Sequence, residues 1–128
     1  MKLTLTRKIL AIALIGLFSQ FSLAQDNAGS AKQIADIVAS LNHFPSDADK
    51  ATLMAISGNG ELAPGVRAMA TAVSNIAHSA NAEGKEAMAG IQANAQAPDR
   101  AKALAGIIAS LNHTASADAK AELAQLYP

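Results

Sequence analysis

An all-α protein built from three helix-turn-helix repeats, six short helices in all, is the fold that this sequence predicts, and two observations predict it. Apolar residues recur at helical spacing. The whole pattern then returns every 35 residues without insertion or deletion: Ile34, Met69 and Leu104 correspond, as do Val38, Val73 and Ile108, Leu41, Ile76 and Leu111, Leu53, Met88 and Leu123, and Ile56, Ile91 and Leu126. The three histidines of the chain, His43, His78 and His113, fall on the same register. A unit this short cannot bury its own apolar face, so the copies must pack on one another.

The chain opens on a different kind of segment. Lys2, Arg7 and Lys8 precede the apolar run from Ile9 to Phe18, and the small residues Ser22 and Ala24 lie just ahead of a cleavage point after Ala24. This is the three-part pattern of a secretory signal peptide, expected over residues 1–24. A membrane anchor needs about 20 apolar residues, roughly twice this run. Residues 25–29 are short, polar and glycine-bearing and read as a disordered lead.

The repeat domain is expected over residues 30–128, with copies at about 30–64, 65–99 and 100–128. Ser30 with Gln33 makes a capping box for a first helix from about Ala31 to Asn42, whose inward stripe is Ile34, Ile37, Val38 and Leu41. Phe44-Pro45 ends that helix, because proline lacks an amide hydrogen and restricts the residue before it. Ser46 then caps a second helix with Asp47 and Asp49 in its first turn, where carboxylates meet the positive end of the helix dipole. Gly58 is placed to end it in the left-handed region.

Asn81 and Ser116 repeat the capping role of Ser46, and Pro64 and Pro98 start the first helices of the second and third copies. The last helix is expected from about Ser116 to Tyr127. Ala35, Ala39 and Ser40 lie off the apolar stripe and let a second helix approach closely. On nearest-neighbour packing, an open or gently curved α-solenoid is favoured over a closed bundle. The period and layout resemble tetratricopeptide repeats. No copy has that family's tryptophan, Leu-Gly pair or tyrosine in its first helix, so its peptide-binding positions are not carried over.

Removal of the signal takes three of the ten basic residues and none of the ten acids, leaving a net charge of −3. A mildly acidic surface without basic clusters argues against nucleic acid and anionic membrane as partners. There is no cysteine, which excludes disulfides and a lipid-anchored thiol, so stability rests on helix packing and no membrane anchor is expected after cleavage. A periplasmic or secreted location follows. Phe44 and Tyr127 are the only aromatics beyond the signal, too few for a base- or sugar-stacking platform.

Polar residues that recur are the informative ones. His43, His78 and His113 close each first helix, and the reading favoured by the sequence is a C-terminal cap, with an imidazole donating to the last free carbonyls. The alternative is a metal site, because histidine is the commonest metal ligand and three of them form a familiar zinc set. In an open stack, equivalent residues lie a hairpin's width apart, about two helix diameters of about 10 Å each, which one ion cannot span. Separate pairs such as His43 with Asp47 or His113 with Asp118 are a further possibility.

Lys50, Lys85 and Lys120 follow the histidines by seven residues, on the unfavourable side of the dipole, and are expected to cap the preceding helix end or to cover the turn with their stems. Lys32, Arg67 and Lys102 form a third set, of which Arg67 and Lys102 are placed to cap the preceding helix. Ser40 and Ser110 lie three residues before a histidine, but Asn75 breaks that pattern in the middle copy, and a helical serine usually bonds back to its own helix. No phosphate loop, HExxH or catalytic thiol is present. The expectation is therefore a non-enzymatic, cofactor-free interaction or scaffold protein of the cell envelope with an unidentified protein partner there. The alternative is a periplasmic metal-binding or metal-responsive protein using His43, His78 and His113.

Overall fold

A computed structural model describes residues 27–128, so the signal segment and the first two residues of the expected lead lie outside the described residues. Six helices make up the described chain: α1 (27–40), α2 (Asp47–Ser57), α3 (Pro64–Ser74), α4 (Ala82–Ala93), α5 (Asp99–Ser110) and α6 (Ala117–Leu126). There is no strand among the described residues, only isolated bridges between turns. None of these helices is long and apolar enough to cross a membrane.

Two local expectations are corrected. Residues 27–29 are helical, which puts Ser30 inside α1 instead of at its cap. Asn27 helps fix this end of the helix, because its Oδ1 accepts the Ala63 N–H at 2.8 Å, just ahead of α3. Gly58 does end α2, but with φ −85° and not in the left-handed region. Its N–H bonds back to Met54 and Ile56, and the reversal is made further on, where Asn59 Oδ1 accepts the Glu61 N–H at 3.0 Å.

The even helices are capped by their own side chains. Ser46 accepts from Asp49 N–H, Asn81 from Gly84 N–H and Ser116 from Ala119 N–H, each satisfying an amide that the helix leaves free. The odd helices α3 and α5 start at Pro64 and just after Pro98 with no side-chain cap. Arg67 Nε donates to the Ser57 carbonyl at 3.2 Å and so caps the C-terminal end of α2. Lys32 pairs with Asp36 on the surface of α1 at 3.2 Å.

Burial follows the repeat. Ile34, Met69 and Leu104 are at most 1% exposed, and so are Val38, Val73 and Ile108. The next position along, Ala35, Ala70 and Ala105, is equally buried. Each odd helix thus buries two adjoining faces. α3 touches α5 directly, while α4 packs against both of them. Gly84 marks a close approach within the second hairpin: a Cβ there would meet the Ala72 Cβ at 3.4 Å and the Asn81 Oδ1 at 3.2 Å.

An open stack would hold the first and third turns apart by about two hairpin widths of about 20 Å each. Instead the His43 N–H donates to the His113 carbonyl at 2.6 Å. The expected separation of equivalent residues is therefore corrected, and the reason lies in the turns: the amide and carbonyl of each histidine find their partners in the other two turns.

Leu123 and Tyr127 are buried at the end of the chain, and the Arg100 guanidinium lies 5.0 Å from the centre of the Tyr127 ring. Burial pushes the Tyr127 hydroxyl above the ordinary tyrosine value of 10.0, against a smaller opposing pull from Arg100. The folded state thus favours the neutral phenol. Its contribution to stability is fully present below about pH 10 and is lost as pH rises through the folded pKa. Chemical denaturation at about pH 8 and about pH 11 is expected to show an alkaline loss of stability that Tyr127→Phe reduces; an equal loss in both proteins would show that the phenol is not responsible.

Candidate metal centre

The three turns that follow α1, α3 and α5 meet at one end of the molecule. Each is pinned from both sides: Leu41, Ile76 and Leu111 anchor it two residues before the histidine, and Pro45, Ala80 and Ala115 two residues after, all of them buried. Between these anchors the chain must turn sharply. It does so by placing His43, His78 and His113 at φ values of 68°, 70° and 69°.

No other non-glycine residue among those described has a positive φ. In the first and third copies the turn is closed by a hydrogen bond across the histidine, from Phe44 N–H to the Asn42 carbonyl and from Thr114 N–H to the Asn112 carbonyl, both 2.8 Å. A three-residue turn with a positive central φ is the rare and strained form of the γ-turn. In the middle copy the bond runs the other way, from Ala77 N–H to the Ser79 carbonyl at 3.3 Å. Glycine is the default residue for this backbone region, and a side chain there costs about 1–2 kcal/mol.

The turns are joined by their backbones. His43 N–H donates to the His113 carbonyl, His78 N–H to the His43 carbonyl and His113 N–H to the His78 carbonyl, at 2.6, 2.6 and 2.5 Å. These bonds form a closed cycle running in one direction. They satisfy the amide and carbonyl of every histidine, which a turn cannot do within itself.

The side chains follow the backbone. The imidazole centres are 5.2 Å apart for His43 and His78, and 5.0 Å apart for each of the other two pairs. One ring nitrogen from each histidine lies within 4.8 Å of the others. A tetrahedral zinc site with bonds of about 2.0–2.1 Å sets its nitrogens about 3.3 Å apart. That spacing falls inside the 4.8 Å limit within which the three nitrogens lie. His43 is half-buried and His78 and His113 are exposed, so a fourth position on the ion would face solvent, as in sites with three protein ligands and one open place.

The nearest side-chain partners of the rings are asparagines. His43 Nδ1 lies 2.6 Å from Asn42 Oδ1, and His113 Nδ1 lies 2.6 Å from Asn112 Oδ1. The middle copy has Ala77 at this position and no such contact. Among the described residues, no imidazole donates to a helix-terminal carbonyl, and neither Asp47 nor Asp118 contacts a histidine ring. Lys50, Lys85 and Lys120 are exposed, and among the described residues their ammonium groups bond to no carbonyl. Ser40 and Ser110 bond back to the Ile37 and Ile107 carbonyls of their own helices.

The structure therefore brings the three histidines together and leaves the recurring lysines and the individual acids apart from them. The two asparagines, which carry no ligand or capping motif of their own, have one signal in the sequence: Leu-Asn-His occurs in copies one and three where the middle copy has Ile-Ala-His.

A second concave feature lies at the opposite ends of α1, α3 and α5. It is a cleft of about 450 Å³ between Ala31, Val66, Met69, Ile91 and Tyr127, with Arg100 at its edge. No protein-family model matches the chain, and neither a curated protein nor a solved structure matches it.

Proposed function

We propose that this chain is a metal-binding protein in which His43, His78 and His113 jointly hold one zinc-class transition ion. The observation that carries the reading is the convergence of one nitrogen from each ring within 4.8 Å, on turns whose backbone would be easier to make with glycine. Strain of this kind collects at functional sites, where the surrounding structure holds it in place. Three neutral imidazoles without thiolate or carboxylate form a borderline donor set, suited to zinc, copper or nickel.

The arrangement that supports this is a closed bundle of three hairpins, favoured by the hydrogen-bond cycle between the turns and by the burial of Ala35, Ala70 and Ala105. The signal pattern supports a location in the periplasm or outside the cell. A second reading, an interaction or scaffold module of the envelope, has support from Phe44 and Met54, which are 60% and 67% exposed.

Calorimetric titration with zinc, copper and nickel tests the reading. One ion per chain is expected, with binding lost on acidification because imidazolium is not a ligand. The triple variant His43→Asn, His78→Asn, His113→Asn keeps side chains that tolerate the left-handed region and is expected to bind none. Absence of heat with the unaltered protein, or equal heat with the variant, would remove the metal reading and leave the surface-interaction one.

A further inference from the structure

The three imidazoles are not equivalent, and the difference lies in the residue before each. Asn42 and Asn112 each set a carboxamide oxygen 2.6 Å from the Nδ1 of the following histidine. An amide oxygen only accepts, so the ring nitrogen facing it carries the proton. A neutral imidazole has one N–H, which leaves the lone pair on Nε2. The position before His78 is Ala77, whose methyl group can neither accept nor donate.

We infer that Asn42 and Asn112 are positioning residues that fix His43 and His113 as Nδ1–H tautomers with Nε2 free for a shared ion, and that His78 is the unrestrained ligand through which the ion enters and leaves. This rests on the metal reading above. Its physical basis is the role of groups behind metal-bound histidines, which set the tautomer and ring direction and change affinity by about 10–100-fold when removed.

For His43 and His113 the protonation pattern needed by the ion is already present before it arrives. His78 has to select both its tautomer and its rotamer on binding, and it is exposed, so little opposes its turning away again. An ion held by two fixed rings and one mobile one is released by the mobile one first.

Two measurements test this, one without metal. Long-range nitrogen–proton correlation spectra of the metal-free protein, at a pH where the rings are neutral, are expected to show a protonated Nδ1 and a bare Nε2 at His43 and His113, and a mixture of tautomers at His78. Asn42→Ala and Asn112→Ala should return their own histidine to a mixture and weaken zinc binding by about 10-fold each. Ala77→Asn should lock His78 in the same tautomer, tighten zinc binding by about 10-fold and slow zinc release in proportion.

Position 77 is exposed, so that last variant does not disturb the core. Mixed or Nε2–H tautomers at His43 and His113 in the unaltered protein would overturn the positioning role while zinc binding stood. Locked tautomers with no zinc binding would instead remove the metal reading, and the ligand roles with it.

Discussion

Replacing His43, His78 and His113 together by glycine is expected to raise the melting temperature of the metal-free protein while abolishing metal binding. All three lie at φ values between 68° and 70°, where a residue with a Cβ costs about 1–2 kcal/mol. Glycine removes that cost but returns about 0.4–1 kcal/mol through the greater freedom of the unfolded chain. The net gain is about 1 kcal/mol at each position, or about 2–3 kcal/mol for the three. At about 4–8 °C per kcal/mol for a domain of this size, the melting temperature should rise on the order of 10 °C or more.

The triple alanine variant separates strain from capping. Alanine keeps the Cβ and loses the ring, so it is expected to gain nothing, whereas a capping role for the imidazoles predicts a loss of about 0.5–2 kcal/mol per cap with either replacement. A glycine variant that melts below the unaltered protein would refute the strain account.

The second large effect is expected in the core beneath the site. Leu104 is fully buried on α5, the same helix that delivers His113 to its turn. Leu104→Ala should cost about 2–5 kcal/mol, since the deleted methyl and methylene groups leave a cavity that close-packed neighbours only partly fill. Against a total stability of about 5–15 kcal/mol this is a large fraction. Zinc at about 100 times its dissociation constant should then restore about 2.7 kcal/mol, because it binds the folded state alone. Thermal melts with and without zinc read both quantities. A fall below about 1 kcal/mol would contradict the packing at Leu104, and an unmoved melt in zinc would contradict the coupling of the site to the fold.

Much of the helical architecture was legible in the residues. The stripe of Ile34, Val38 and Leu41 and its two later copies marked the buried faces, and Ser46, Asn81 and Ser116 marked the starts of α2, α4 and α6. These are local properties, fixed by spacing along one helix or by a side chain reaching its own first turn. The beginning of α1 and the conformation of Gly58 were not, because each depends on a contact or a turn made elsewhere in the chain.

The meeting of His43, His78 and His113 was harder to read for a related reason. Nearest-neighbour contacts between successive hairpins look the same whether the stack opens or curls back. What distinguishes them is a small rotation at each interface, which no residue type marks, the buried Ala35, Ala70 and Ala105 included. Alanine at those positions is compatible with either outcome when seen in sequence. The left-handed histidines were invisible too, because histidine, unlike glycine, does not announce a positive φ. The one signal for them is a turn pinned by core residues two before and two after His43, with no glycine between them to make it.

The hydrogen-bond cycle of the three turns is also saturated. Three backbone donors meet three acceptors, and no free group is left at either end. Proteins that stack repeats in a line lengthen by duplication, since each end offers the next unit the same surface. A chain whose turns bond head to tail in a triangle has no such end. Loss of one hairpin would orphan a donor and an acceptor together, and a fourth would find neither waiting for it.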